Sequence, residues 1–283
     1  MTAASAGAPA KPGRPRLGLS LPNFAEPQVL VDLGVRAEVA GWDGLFLWDH
    51  LHGSPAFPVP TADPWVVLGA LAVRTERITI GTGVTSVPRR QPEKLARETV
   101  TVDHLSGGRL VLGVGLGEPP AEHTAYGRAA DRPTLAARLD EGLEVVAGLW
   151  SGQPFSHRGE HFTIEEAQFL PAPVQQPRIP VWVSCTFPYT RPRARAAQWD
   201  GAVLAAVGAG GTIERVTVAE ARAAVNEITA LRGPRSGPFD VALATTGLPT
   251  EREQAAYAAV GVTWILAAGW LDGMPDLIEA GAR

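Results

Sequence analysis

The stretch VDHLSGGRLVLGVGLGE, residues 102–118, decides the fold, because a helix end, a turn and a buried strand follow one another in it. A helical pattern over residues 92–105 stops at the Ser-Gly-Gly turn, since glycine is the residue that most often ends a helix. The apolar run that follows, residues 109–115, predicts a short strand buried on both faces. Strands of this kind are typical of a parallel sheet covered by helices.

The same pattern recurs along the whole chain. Strands are predicted over residues 16–21, 44–48, 77–82, 109–115, 179–184, 200–205, 239–245 and 262–268. Helices are predicted over residues 28–40, from residue 63 onward, and over 92–105, 132–150, 191–198, 213–231, 250–260 and 275–280. Eight strand–helix units predict an α/β protein with a (β/α)8 TIM barrel, and a doubly wound open sheet is the alternative.

Two segments depart from this alternation. Residues 1–15 consist mainly of Ala, Pro, Gly, Lys and Arg, which predicts a disordered N-terminal tail. Residues 151–178, between the fourth helix and the fifth strand, are rich in Pro and turn residues, which predicts a short insertion with a small hairpin. We therefore expect residues 16–283 to form a single catalytic domain.

The overall composition restricts the class of function. The chain has 283 residues, of which 45% are hydrophobic, with a net charge of -4 and one cysteine. This charge does not favour nucleic acid as a partner, and no apolar run reaches the length of a membrane span. A single cysteine excludes a disulfide framework and agrees with a cytoplasmic protein. The many Ala, Arg and Gly residues indicate a bacterial source.

Polar residues follow the predicted strands, at the end of a barrel where active sites lie. Asp49 and His50 end the second strand, where an imidazole can move protons near neutral pH. The alternative is that Asp49 caps the next turn and His50 is an ordinary loop residue. Glu118 follows the fourth strand, and a carboxyl group beside apolar walls can serve as an acid.

Glycines after the third and fourth strands predict space for a flat ligand. Thr82 and Gly83 belong to a GTGV stretch whose glycines allow close backbone approach. Three glycines alternate after residue 112, the last two being Gly115 and Gly117, and their missing side chains leave room for a ring. The spacing does not match the dinucleotide fingerprint GxGxxG, because Glu stands at its last position.

Three further groups have two interpretations each. Arg191 opens a predicted helix, where it either binds an anion or is simply solvated. His157 and His161 lie in the insertion, where a structural hairpin explains them better than a pair of metal ligands, so that no metal site is predicted. Cys185 is expected to be a small buried residue rather than a nucleophile.

Several segments together resemble the bacterial luciferase-like monooxygenase superfamily of flavin- or F420-dependent oxidoreductases, over nearly the whole chain after the tail. The segments are RLGLSLPN, WDH, ERITIGTGV and ETVTVDHLSGGRLVLGVGLGE, followed in order by FSHRGEHFTIEEA and PAPVQQPRIPVWV. This resemblance implies a (β/α)8 barrel that binds FMN or the deazaflavin coenzyme F420. The WDH segment and the Glu after GLG look most like the deazaflavin-dependent branch.

The resemblance also implies roles for particular residues. Asp49 would approach the ring system, His50 would exchange a proton with the substrate, and Glu118 would be a second proton relay. The family's bulge after the third strand, often a non-prolyl cis peptide, maps to Gly83–Val84 and would prop the central ring. Ser86 lies where a hydroxyl often meets the ring edge.

Two departures from the family pattern bear on the cofactor. Many members carry a pair of glycines after the fifth strand for the phosphate of the ligand, whereas this chain reads Ser184-Cys185-Thr186. Many deazaflavin enzymes carry Asn three residues after the Glu, whereas this chain has Ala121. Both departures weaken the choice of cofactor more than the choice of fold.

The expected reaction is hydride transfer between F420 and a small organic substrate. The alternative is a two-component monooxygenase that uses oxygen and reduced FMN from a separate flavin reductase. Two less favoured alternatives are a barrel hydrolase, with Asp49 and Glu118 as paired carboxylates, and a non-catalytic flavin-binding protein. The resemblance further suggests a homodimer.

Overall fold

The computed structural model describes residues 14–53, 58–208, 213–234 and 237–281. The predicted tail over residues 1–15 therefore lies outside the described residues, except for its last two positions.

Twelve strands and nine α-helices occur within these described ranges. The strands are β1 (Arg16–Leu21), β2 (Gly44–Leu47), β3 (Thr79–Thr82), β4 (Thr85–Ser86), β5 (Leu110–Gly115), β6 (Phe155–Arg158), β7 (Thr163–Ala167), β8 (Val181–Phe187), β9 (Gly201–Val207), β10 (Ile213–Glu214), β11 (Asp240–Thr246) and β12 (Trp264–Ala268). The helices are α1 (Pro27–Val39), α2 (Pro64–Arg74), α3 (Pro92–Ser106), α4 (Ala121–Thr124), α5 (Arg132–Trp150), α6 (Arg191–Ala196), α7 (Val218–Arg232), α8 (Glu251–Ala258) and α9 (Met274–Gly281). Across these ranges, no helix combines the length and the apolar character that a membrane crossing needs.

Eight parallel strands close into a barrel in the order β1, β2, β3, β5, β8, β9, β11 and β12. The last of them returns to the first, so that Trp264 pairs with Arg16 and the sheet is closed. The predicted (β/α)8 barrel is thus confirmed, and the open-sheet alternative is wrong. Most residues of these strands are apolar and buried, because helices cover their outer face and side chains fill the interior.

Large aromatic side chains fill the barrel interior near the N-terminal ends of the strands. Phe46, Trp182 and Trp264 pack together with ring centroids 5.3 to 5.8 Å apart. Gly44 makes room for them, since a Cβ atom there would lie 2.7 Å from the Trp264 ring. This packing leaves the opposite end of the barrel, here called the mouth, as the place where a ligand can enter.

The insertion forms the predicted hairpin, with β6 and β7 paired antiparallel on the outside of the barrel. Glu141 on α5 holds it, because its carboxylate accepts hydrogen bonds from the backbone N–H groups of His161 (2.9 Å) and Phe162 (2.7 Å). His157 lies 3.2 Å from the same carboxylate. The two histidines therefore belong to the hairpin, and the residues described here contain no group of three metal-ligating side chains.

The helix predicted over residues 213–231 begins later than expected. Ile213–Glu214 pairs antiparallel with β9, and α7 starts at Val218. The cause is a capping box: the Thr217 hydroxyl accepts from the Glu220 backbone N–H (3.2 Å), and the Glu220 carboxylate accepts from the Thr217 backbone N–H (2.8 Å). This reciprocal pair fixes the start of the helix at residue 218.

Candidate active site

The loop after β2 places Asp49 and His50 at the mouth of the barrel. Asn23, which follows β1, fixes this loop, because its amide donates to the His50 carbonyl oxygen (2.8 Å) and accepts from the His50 backbone N–H (3.2 Å). Asp49 is buried, whereas the His50 side chain keeps 23% of its surface exposed. The imidazole therefore remains accessible to a molecule that enters the mouth.

A buried cluster of paired charges supports these two residues. Arg90 donates to both carboxylate oxygens of Asp49 at 2.8 Å. Arg89 pairs with Glu122 and donates to the main-chain oxygen of Asp49. Glu122 in turn accepts a hydrogen bond from His50 Nδ1 at 2.8 Å. The side chains of Asp49, Arg89 and Glu122 are at most 4% exposed, so the cluster compensates charges that would otherwise be buried without partners.

The protonation state of His50 follows from this environment. Burial, reinforced by the positive charge of Arg89, lowers the pKa of His50 to about 4, although Asp49 acts in the opposite direction. The imidazole is therefore neutral at about pH 7. Because the Glu122 carboxylate can only accept, the single ring proton lies on Nδ1. Nε2 then carries the lone pair, which can accept a hydrogen bond from a substrate hydroxyl.

A cis peptide bond interrupts the third barrel strand at Gly83–Val84, as the resemblance implies. Before it, the Thr82 hydroxyl donates to the Gly113 carbonyl oxygen (2.8 Å), and after it the chain pairs with β5 again as β4. A Cβ atom on Gly115 would lie 2.8 Å from Val84 and 3.5 Å from Ser184. Gly115 therefore lets the Val84 side chain of the bulge pack closely against β5, near β8. We call the residues that meet here the glycine cleft (Val84, Gly115 and Ser184).

Ser86 lies behind the bulge and is buried. Its hydroxyl donates to the Leu116 carbonyl oxygen at 2.7 Å. Gly117, with φ of +93°, passes so close that a Cβ atom there would lie 2.3 Å from the Ser86 oxygen. Ser86 therefore joins the bulge to the loop after β5, and its buried hydroxyl is covered by that loop rather than open to the mouth.

The carboxylate after β5 that enters the cluster is Glu122, whereas Glu118 lies in solvent. The Glu118 side chain is 58% exposed and accepts from Arg132 at 2.9 Å, so the apolar walls expected around it are missing. Glu122 is fully buried, on the short helix α4. Sequence reasoning missed Glu122 because two acids follow the same strand, and their spacing does not indicate which one turns inward.

The alternation along β8 separates the three residues that replace the family's glycine pair. Ser184 and Thr186 are half-buried, with their hydroxyls 3.5 Å apart, and Ser184 borders the glycine cleft. Cys185 is 1% exposed and packs in the core between strands and helices, where burial raises the pKa of its thiol to about 12. Its side chain therefore does not reach the mouth. Arg191, at the start of α6, is exposed.

Aromatic side chains border His50. Phe24 stacks on the imidazole with 5.0 Å between ring centroids, and Trp48 meets it at 5.8 Å. Trp270, which follows β12, lies 6.1 Å from Trp48 and is 65% exposed. Phe24, Trp48 and Trp270 are here called the aromatic wall. Sequence reasoning overlooked Phe24 and Trp270, because each is an isolated aromatic residue in a different loop.

Known proteins share this fold and parts of this sequence. The coenzyme F420 dependent tetrahydromethanopterin reductase from Methanopyrus kandleri superposes with a TM-score of 0.75 at 18% identity, covering 95% of this chain and 98% of that one. The F420-dependent glucose-6-phosphate dehydrogenase of Microbacterium testaceum is 36% identical over 179 residues, which are 61% of this chain and 51% of the dehydrogenase. The oxygenase component of the flavin-dependent trigonelline monooxygenase of Acinetobacter baylyi is 30% identical over 142 residues, which are 50% and 39% of the two chains.

The chain spans about half the length of the curated dehydrogenases that it matches. The match to the family, in contrast, extends along nearly the whole chain. The family model of the luciferase-like monooxygenases covers residues 5–280. On this match, the protein belongs to the luciferase-like monooxygenase family.

Proposed function

We propose that the protein is an F420-dependent oxidoreductase that transfers a hydride between the deazaflavin and a small organic substrate. The proposal rests on the neutral imidazole of His50, which Glu122 holds through Nδ1 at the same end of the barrel as the glycine cleft. A proton acceptor at the mouth, together with a cofactor whose ring carbon takes the hydride, suits hydride transfer from an alcohol. The similarity to a dehydrogenase that by name depends on F420 supports the choice of cofactor.

In this proposal a flat tricyclic ring lies against the cis bulge at the mouth. Gly115 is the key position, because a Cβ atom there would lie 2.8 Å from Val84 and would displace the bulge. Ser184 and Thr186 present half-buried hydroxyls next to it, and exposed Arg191 offers a positive charge for a phosphate. Once bound there, F420 would supply a ring carbon that accepts or donates a hydride.

Each group of the charge cluster has its own task in this proposal. His50 Nε2 accepts a hydrogen bond from the substrate hydroxyl and takes its proton while the hydride leaves the neighbouring carbon. Glu122 holds the imidazole in the required tautomer and stabilises the imidazolium that forms. Asp49, bound by Arg90, holds the loop rather than acting as an acid. We therefore assign to Glu122 the second carboxylate role that the resemblance assigned to Glu118.

A second candidate is an FMN-dependent monooxygenase that receives reduced FMN from a separate flavin reductase. The similarity to the oxygenase component of a flavin-dependent monooxygenase supports it. The hydrolase alternative loses support, because both oxygens of Asp49 bind Arg90 and Glu118 pairs with Arg132 in solvent.

The domain organisation, the partners and the cellular location of the enzyme are also part of the proposal. We place residues 16–283 in one catalytic domain that acts on a small molecule, without nucleic acid or a membrane as a partner, in a bacterial cytoplasm. The net charge of -4 supports the exclusion of nucleic acid, and the two curated relatives named above come from bacteria. The homodimer suggested by the resemblance remains part of the proposal.

Calorimetric titration of the purified protein with F420, FMN and reduced FMN tests the proposed cofactor. We expect F420 to bind tightly and both forms of FMN to bind more weakly. Tight binding of reduced FMN without binding of F420 would overturn the proposal in favour of the monooxygenase. Binding of F420 without turnover of any alcohol or carbonyl compound would indicate the non-catalytic flavin-binding protein.

A further inference from the structure

The aromatic wall lies close to the cis bulge at Gly83–Val84. The Trp48 indole N–H donates to the Ser20 hydroxyl oxygen at 2.8 Å, and that oxygen lies 4.0 Å from the position of a Cβ atom on Gly83, in the cis bulge. Phe24 and Trp48 flank the His50 ring at 5.0 and 5.8 Å. A molecule stacked on the wall would therefore lie beside His50.

Positive charges are unevenly distributed around the mouth. In the sequence, the loops after β1, β2, β11 and β12 contain no Lys or Arg. These loops are residues 22–26, 48–63, 247–250 and 269–273. Arginines follow β3, β5 and β8 instead, and those after β3 are already paired with Asp49 and Glu122. Arg215, after β9, pairs with Glu253 at 2.7 Å. A phosphate on a substrate at the aromatic wall would thus lack a cationic partner in these four loops.

Trp270 is the outermost member of the wall. It is 65% exposed, although burial of such a side chain from water is favourable. Its ring meets the Trp48 ring at an interplanar angle of 67°, and together the two rings form an apolar corner at the mouth. An exposed tryptophan that continues a half-buried aromatic surface into a reactive site is suited to stacking on a planar ligand.

We propose that the substrate is an uncharged alcohol, or the corresponding carbonyl compound, that carries a planar apolar group stacked against the corner formed by Trp48 and Trp270. This inference rests on the proposed function and specifies its substrate class. In the oxidative direction the alcohol loses a hydride to oxidised F420 and its hydroxyl proton to His50 Nε2. The two electrons of the C–H bond pass to the cofactor, a C=O bond forms, and His50 releases the proton to solvent. We expect a phosphorylated sugar to bind this site more weakly than the uncharged alcohol.

Ligand-detected saturation-transfer NMR tests the inference on the full chain, with and without F420. The probes are 1-phenylethanol, its 4-carboxylate derivative and glucose 6-phosphate. Trp270→Ala removes the outer ring, Trp270→Phe restores a planar surface, and Leu170→Ala removes a comparably exposed apolar side chain from the insertion (62% exposed). Turnover of 1-phenylethanol gives a second readout as separate KM and kcat values.

We expect 1-phenylethanol to bind, and the two anionic probes to bind at least tenfold more weakly. Trp270→Ala should raise the Kd and KM for 1-phenylethanol roughly tenfold, while Trp270→Phe recovers most of the loss and Leu170→Ala has no effect. Preferred binding of glucose 6-phosphate, or an unchanged Kd in Trp270→Ala, would overturn the inference. Binding of 1-phenylethanol to a protein that does not bind F420 would contradict the proposed function alone.

Discussion

Replacement of Glu122 by Gln changes one charge at the centre of the buried cluster and nearly preserves its shape. Glutamine cannot form an ion pair with Arg89, whose side chain is 4% exposed. Its amide can either donate to or accept from His50 Nδ1, whereas the native carboxylate, at 2.8 Å, only accepts. The substitution therefore affects both the stability of the fold and the tautomer of the imidazole.

The expected loss of stability comes from the buried Arg89. Removal of one partner from a buried ion pair typically costs about 3–5 kcal/mol, because it leaves a charge without compensation. Because Arg89 keeps Asp49 Oδ1 at 3.6 Å, we expect the free energy of unfolding to decrease by about 3 kcal/mol, at the lower end of this range. For a chain of this size that corresponds to a decrease in melting temperature of roughly 5 °C. Loss of the fixed tautomer should lower kcat on the order of 100-fold.

Thermal unfolding, steady-state turnover and ¹⁵N NMR of the imidazole nitrogens measure the two effects separately. Glu118→Gln is the matched control, because Glu118 is 58% exposed and its contact with Arg132 is a surface ion pair. That variant should melt and turn over like the native protein. If Glu122→Gln behaved like Glu118→Gln in all three measurements, the assigned roles of Glu122 would be refuted.

Three further predictions concern single residues. Burial lowers the pKa of His50 from 6.5 to about 4 in the folded protein. As the pH falls, the unfolded chain therefore takes up a proton on this residue before the folded protein does. The free energy of unfolding present above about pH 6.5 is then progressively lost toward about pH 4. In denaturant titrations the free energy of unfolding should fall by about 2 kcal/mol between about pH 7 and pH 5. The decrease should be smaller in His50→Asn, which lacks the imidazole. Cys185, buried and with its pKa raised to about 12, should react with iodoacetamide only in denaturant, and mass spectrometry showing labelling of the native protein would contradict its placement. Gly115→Val should raise the Kd of F420 by roughly 100-fold in calorimetry, because the new side chain collides with Val84 and displaces the cis bulge, whereas Gly69→Ala, with open space around its Cβ position, should bind normally.

The barrel could be predicted because its signals are local. The stretch over residues 102–118 contains the helix stop, the turn and the apolar strand in order, and β5 was found to begin one residue later than predicted. Strand β10 was missed because it is two residues long and precedes an amphipathic helix without a break in hydropathy. Short elements of this kind depend on pairing with a distant strand, in this case β9, rather than on their own residues.

The candidate site was only partly predictable, for a related reason. The positions of Asp49 and His50 follow from where β2 ends, which is a local property. Their partners are distant in sequence: 41 residues separate Asp49 from Arg90, and 72 separate His50 from Glu122. Which of two acids after β5 turns inward depends on the closure of the barrel, and no spacing rule encodes it.

Anaerobic mixing of the protein with oxidised F420 and a set of primary and secondary alcohols tests hydride transfer most directly. The account predicts that the deazaflavin absorbance decreases without oxygen in the native protein. It also predicts that the rate falls on the order of 100-fold or more in His50→Ala, although F420 remains bound. A rate in His50→Ala equal to the native rate would contradict the assignment of the proton to His50. No reduction of F420, together with oxygen consumption in the presence of reduced FMN, would contradict hydride transfer itself.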